Sequence, residues 1–297
     1  MKSDANAVVL SPARGRAVDF VALSKPRLNL LVVASALAGY AMAGGTGTQI
    51  VRLLSTVVGT FFVAGGASGF NQVLERVEDG LMRRTRMRPV PDGRLQVPEA
   101  ILFSSALAIT GLLILAAGAN PPTAIVALAT LTIYIVIYTP LKKVTSFATV
   151  VGAIPGALPP VIGWTAARDG LQPEAWLLFG IVFLWQMPHF LAIAWIFRED
   201  YARAGYQMLA VLEPDGRSTA RQAVIYSAAL LPLSLAPTLF GMTGPYYFVG
   251  SLALTSTFLA LAIRFGLTRT IRDARRLFFG SIIYLALLWV LMIVDRV

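Results

Sequence analysis

No cysteine occurs among the 297 residues of this sequence, and histidine occurs once, at His189. These scarcities exclude disulfides, thiolate metal sites, a cysteine nucleophile and a histidine-rich metal centre, while saying nothing about redox compartment. Charge is also scarce: 13% of the residues are charged, where a soluble domain carries about 25%. Acids are the rarer sign, 15 against 25 lysines and arginines, giving a formal net charge of +10. With 57% hydrophobic residues, the composition points to an all-α polytopic membrane protein. In a soluble protein such a basic balance would point to nucleic acid. Here the basic residues fall between apolar runs, so membrane topology accounts for them and no nucleic-acid partner is expected.

A spanning helix needs about 20 mostly apolar residues. Nine runs qualify, at approximately 28–44, 53–74, 99–118, 122–138, 148–166, 175–197, 222–241, 246–264 and 276–294. The fifth contains Pro155, Gly156, Pro159 and Pro160 and is expected to be kinked. With the N-terminus inside, the inner segments hold 22 Lys and Arg, against Arg52, Arg168 and Arg296 outside. That bias fixes the orientation and places every charge-rich motif on the cytoplasmic face. Residues 1–27 lack a long apolar core and a cleavage-like signal, and are expected to be a cytosolic tail. Residues 28–297 are expected to form one transmembrane domain, its nine helices bundled around a central intramembrane cavity.

Asn71, Glu75 and Asp79 follow the second apolar run at i, i+4, i+8, so one helix face carries all three. Five arginines lie within or just beyond them. On its own, such a segment reads as a solvated helix end whose acids pair with Arg83 and Arg84. Carboxylates at the membrane boundary, however, usually face a cavity or a partner. Oxygen ligands for a hard cation beside fixed positive charge suit a metal-bound diphosphate, here on a lipid. Arg198-Glu199-Asp200-Tyr201 ends the sixth run on the same membrane face. A snorkelling helix end explains it equally well alone. Across a cavity, the two acidic clusters could hold metal around one diphosphate as a carbon–oxygen bond breaks. Lys142 and Lys143 are expected from topology. Lys142 could also hold phosphate, and Tyr138 could hydrogen-bond it or face an allylic cation. Gln186 and His189 stand one turn apart mid-way along the sixth run and could line one pocket, with His189 as an iron ligand or a base.

These segments resemble a known family. Ser24-Lys25-Pro26-Arg27 and Asn71-x3-Glu75-x3-Asp79-x2-Met82-x-Arg84-Thr85-x2-Arg88-Pro89 are similar to motifs of the UbiA-type intramembrane prenyltransferases. Tyr138-Thr139-Pro140-Leu141-Lys142-Lys143, the Gly152–Trp164 proline-glycine run, Trp185-Gln186-Met187-Pro188-His189-Phe190 and Arg198-Glu199-Asp200-Tyr201-x3-Gly205-Tyr206 extend the likeness to about residue 215. The last three resemble the haem-modifying branch. Two features depart from the wider family: Glu75 stands where many relatives carry aspartate, and Ala204 stands where a second aspartate would pair with Asp200.

The resemblance implies transfer of the farnesyl group of farnesyl diphosphate to the 2-vinyl group of haem B, with addition of water, giving haem O for oxidase assembly. It implies Mg²⁺ held by Asn71, Glu75, Asp79 and Asp200. Arg84, Arg88, Lys142, Tyr138 and Arg198 would bind the diphosphate, and His189 and Gln186 the haem. The catalytic set would be Asn71, Glu75, Asp79, Lys142 and Asp200. Haem A synthase or oxidase assembly proteins are the implied partners. A bacterial plasma membrane is the expected location. Two alternatives remain open: prenylation of an aromatic acceptor such as 4-hydroxybenzoate, and a non-catalytic haem carrier or transporter.

Overall fold

The computed structural model describes residues 15–45 and 49–297. The first fourteen residues of the expected tail lie outside the described residues. Among the described residues the chain is helical, with no strand and one isolated antiparallel bridge between Thr243 and Arg296. Among the described residues, nine segments are long and apolar enough to cross a membrane.

The first span is in two parts, α1 (Arg16–Ser24) and α2 (Pro26–Met42). Lys25 joins them in the left-handed conformation (φ 49°, ψ 56°), and Pro26 opens α2. Part of the expected tail is therefore helix. Leu23 and Asp19 are buried on α1, which packs on α3 (Ile50–Leu74) and α5 (Val97–Gly118). A short α4 (Arg76–Leu81) follows α3. Asn120 caps α6 (Pro121–Thr132) by accepting from Thr123 N at 2.9 Å. That span continues through a π-helical turn, Ile133–Tyr138, into α7 (Thr139–Leu141).

The fifth span breaks at Leu158 into α8 (Ala148–Ala157) and α9 (Pro159–Arg168), as its prolines predict. Then follow α10 (Pro173–Ile196), the short α11 (Arg198–Arg203) and α12 (Leu209–Leu212), and α13 (Arg217–Leu239), α14 (Pro245–Thr268) and α15 (Ile271–Val294). α13 and α15 each begin five residues before their apolar runs. Hydropathy detects the membrane-facing part of a helix, and these helices continue through a charged turn containing Arg217 and Arg221, or Arg272, Arg275 and Arg276.

Neighbouring spans pack in sequence, and α15 returns to α2 to close the bundle. α2 crosses α9 backbone to backbone. A Cβ at Gly163 would land on the Ala36 carbonyl oxygen, and one at Gly39 on that of Pro160. One end of the bundle is tied by Arg52–Asp169 (3.1 Å), Asn120 Nδ2 to Asp169 (2.9 Å), and Arg168 Nε to the Ala43 carbonyl. At the opposite end one device appears twice. Glu75 (φ −99°, ψ 15°) bends α3 into α4, and Phe197 (φ −109°, ψ 22°) bends α10 into α11. Each bend is followed by a six-residue helix carrying acids.

Candidate active site

The bend at Glu75 leaves the i to i+4 hydrogen bonding intact: Glu75 N donates to Asn71 O (3.0 Å) and Asp79 N to Glu75 O (2.7 Å). Asn71, Glu75 and Asp79 therefore keep one face, as their spacing predicts, and all three are buried. Each faces a cation. Lys25 Nζ donates to Asn71 Oδ1 at 3.5 Å, Lys142 Nζ pairs with Glu75 at 2.7 Å, and Arg88 pairs with Asp79 at 2.6 Å. Glu78, beside them, pairs with Lys143. Lys142 also lies over the Tyr138 ring, 4.5 Å from its centroid. Burial works against its charge, but Tyr138 and Glu75 outweigh that and hold the ammonium well above its usual range. Lys25 belongs to this cluster although the sequence assigned it no role. Its signal was a lysine immediately before Pro26 at the head of a span.

Asp200 reaches the site differently. Its two oxygens accept from the backbone N–H groups of Arg83 and Arg84, each at 3.4 Å, and it pairs with Arg203. It clamps the loop after α4 against α11. Met82 buries in the same seam with Ala204, Tyr206 and Met208, and burial pushes the Tyr206 hydroxyl pKa up. Arg84 donates to Tyr201 Oη (3.3 Å) and lies over Phe197, 4.8 Å from its centroid. Arg198 lies over Trp195 at 4.5 Å and donates to its carbonyl. Among the described residues, no hydrogen bond or ion pair joins Arg198 to the acids.

Toward mid-bundle, Tyr138 packs on Gly152, where any Cβ would strike its ring, and stands 5.5 Å from Tyr134. Gln186 donates to the Ala153 carbonyl at 2.7 Å, and its side-chain oxygen lies against Gly156. His189, one turn on, instead faces α15: its Nδ1 is 2.6 Å from Ser281 Oγ. Its ring lies against Trp185 (5.3 Å) and Phe278 (4.9 Å). The single pocket expected for Gln186 and His189 is thus two separate contacts, one on α8 and one on α15. An i, i+3 pair diverges by about 60° around a helix.

The chemistry of the acidic face fits a divalent cation. Asp79 Oδ1 and Glu78 Oε2 are buried with no hydrogen-bond partner among the described residues. Among those residues no three His, Cys, Asp or Glu side chains converge into a ready-made cage. Mg²⁺ needs none, taking one or two carboxylates and completing its shell with phosphate oxygens and water.

Comparison with known proteins gives the family of the chain. The sequence matches the UbiA prenyltransferase family over residues 32–290. It is 47% identical over 287 residues to protoheme IX farnesyltransferase of Solibacter usitatus, covering 94% of this chain and 98% of that one. It is 36% identical to the mitochondrial protoheme IX farnesyltransferase of Arabidopsis thaliana, covering 93% and 64% of the two chains. The fold superimposes on that of a digeranylgeranylglyceryl phosphate synthase with a TM-score of 0.78 at 17% identity, over 94% and 98% of the chains. A UbiA homologue from Archaeoglobus fulgidus bound to GPP and Mg²⁺ gives 0.64 at 16%, over 92% and 99%. This chain belongs to the UbiA prenyltransferase family.

Proposed function

We propose that the protein transfers farnesyl from farnesyl diphosphate to the 2-vinyl group of haem B, with addition of water, releasing diphosphate and haem O. The observation that carries this reading is the 47% identity, over 94% of the chain, to a protein named for that activity. The buried Asn71–Glu75–Asp79 face with its three cations supports the diphosphate half.

Asn71, Glu75 and Asp79 would hold Mg²⁺, which when bound neutralises charge building on the leaving diphosphate. Lys25, Lys142 and Arg88 stand where they can transfer from the carboxylates and the Asn71 amide to phosphate oxygens. Asp200 holds the loop that presents Arg84 and Arg88. The carbon–oxygen bond of the farnesyl diphosphate breaks and its electron pair leaves with the diphosphate. The face of Tyr138 can stabilise the allylic cation, and the surrounding helices keep bulk water from it. The vinyl carbon attacks, forming the carbon–carbon bond. Water captures the new cation and loses a proton, leaving the hydroxyl. Haem would lie against Trp185, His189 and Phe278, with His189 as iron ligand. The protein would sit in a bacterial plasma membrane with the acidic motifs facing the cytoplasm, and pass its product to haem A synthase or oxidase assembly.

The test is an assay of purified protein with farnesyl diphosphate and haem B, followed by mass analysis of the haem. A gain of one farnesyl and one water, abolished by chelation and restored by Mg²⁺, is expected. Prenylation of 4-hydroxybenzoate instead would overturn the haem reading.

A further inference from the structure

Ser281 is buried on α15 and makes two short hydrogen bonds through one hydroxyl. Its Oγ is 2.6 Å from the carbonyl oxygen of Phe278 and 2.6 Å from His189 Nδ1. A serine hydroxyl has one proton to give and two lone pairs to receive. The Phe278 carbonyl can only accept, so the hydroxyl proton must lie on that side. Were it turned to the imidazole, two oxygens would face each other at 2.6 Å with nothing between them. The remaining contact therefore has His189 Nδ1–H donating to Ser281 Oγ. That fixes the neutral tautomer: the proton is on Nδ1 and the lone pair on Nε2.

The ring is also held in place. Trp185, stacked on His189 at 26°, donates its Nε1–H to the backbone carbonyl of the same Ser281 at 2.7 Å. Phe278, one turn before Ser281, lies against the ring at 4.9 Å. One residue of α15 thus receives two donors from α10, the indole at its carbonyl and the imidazole at its hydroxyl. Among the described residues Nε2 has no hydrogen-bond partner.

We infer that Ser281 is a positioning residue for haem: it holds His189 in the tautomer whose Nε2 can bind the iron, and anchors the haem for reaction at its vinyl group. This rests on the haem reading above and on iron ligation by His189. A ligating histidine characteristically passes its other N–H to an oxygen acceptor, and loss of that acceptor costs about 10–100-fold in affinity. Without it the ring is free to carry its proton on Nε2, where no lone pair remains for iron.

The test compares Ser281→Thr with Ser281→Val, which differ by a hydroxyl in place of a methyl. Ferric haem B is titrated into purified full-length protein and followed by Soret absorption and electron paramagnetic resonance. Binding of a non-ionising farnesyl thiodiphosphate analogue with Mg²⁺ reports the integrity of the other site. Expected is a wild-type-like spectrum for the threonine variant. The valine variant should show about 10–100-fold weaker haem binding and an altered ligand-field signature, with analogue binding kept. Threonine and valine variants that behave alike would overturn the inference. So would His189→Ala with an unchanged haem spectrum, which leaves haem O formation standing as a reaction. Failure of the wild type to yield haem O, read by mass, would instead sink the parent reading.

Discussion

Asp79 is wholly buried, holds Arg88 with one oxygen and, among the described residues, leaves the other without a partner. Asp79→Asn keeps the shape and removes the charge. We expect kcat/KM for haem O formation to fall by at least about 100-fold, the scale of losing one preorganised electrostatic contact. Lys25 faces an amide and, among the described residues, has no carboxylate to part from in reaching phosphate. Lys25→Met should raise the KM for farnesyl diphosphate about tenfold or more, since a charge-assisted hydrogen bond contributes about 1.5–3 kcal/mol. Arg198 makes the opposite case. Stacked on Trp195, it should when changed to alanine lower the melting temperature and leave that KM alone. A raised KM would return it to the diphosphate. These three residues show where the sequence was legible. The spacing of Asn71, Glu75 and Asp79 is local, and a helix converts it directly into a shared face. Lys25, Arg198 and Ser281 take their roles from partners 46, 3 and 92 residues away. For Arg198 the partner is near, but the choice between the Trp195 indole and the acids is made by the bend at Phe197, which no periodicity announces.

At the scale of elements, all nine spans were readable because each needs a long apolar run, and bilayer thickness sets its length. The crossing of α2 and α9 was not readable. It depends on two glycines far apart in sequence, each of which lets a backbone carbonyl of the other helix come close. Gly163→Val would drive its side chain into the Ala36 carbonyl. Overpacking of this kind costs about 1–3 kcal/mol or more, so the variant should melt lower in detergent and express poorly. Wild-type melting would show that the two backbones do not meet there. The bends at Glu75 and Phe197 also escaped prediction. The hydrogen bonding continues through both, so the sequence pattern looks like one unbroken helix end. Their likeness is one of conformation: similar backbone angles, each followed by a six-residue helix carrying acids.

For the molecule as a whole, charge gives the expected orientation: 22 basic residues fall in the segments expected inside and three in those expected outside. The absence of cysteine makes a clean test possible. Arg86→Cys, in the exposed loop after α4, should react with a membrane-impermeant maleimide only from the cytoplasmic side. Leu171→Cys, exposed between α9 and α10, should react only from the opposite side. Labelling of both from one side would refute the nine-span topology. The clustering of Lys25, Arg88, Lys142 and the acids at a single end of the bundle also bears on the fate of what the reaction makes. Diphosphate is released into water, while the enlarged, greasier tetrapyrrole stays dissolved in lipid. The two products part into different phases at the moment they form, and dilution of one of them into the aqueous compartment gives the transfer its direction.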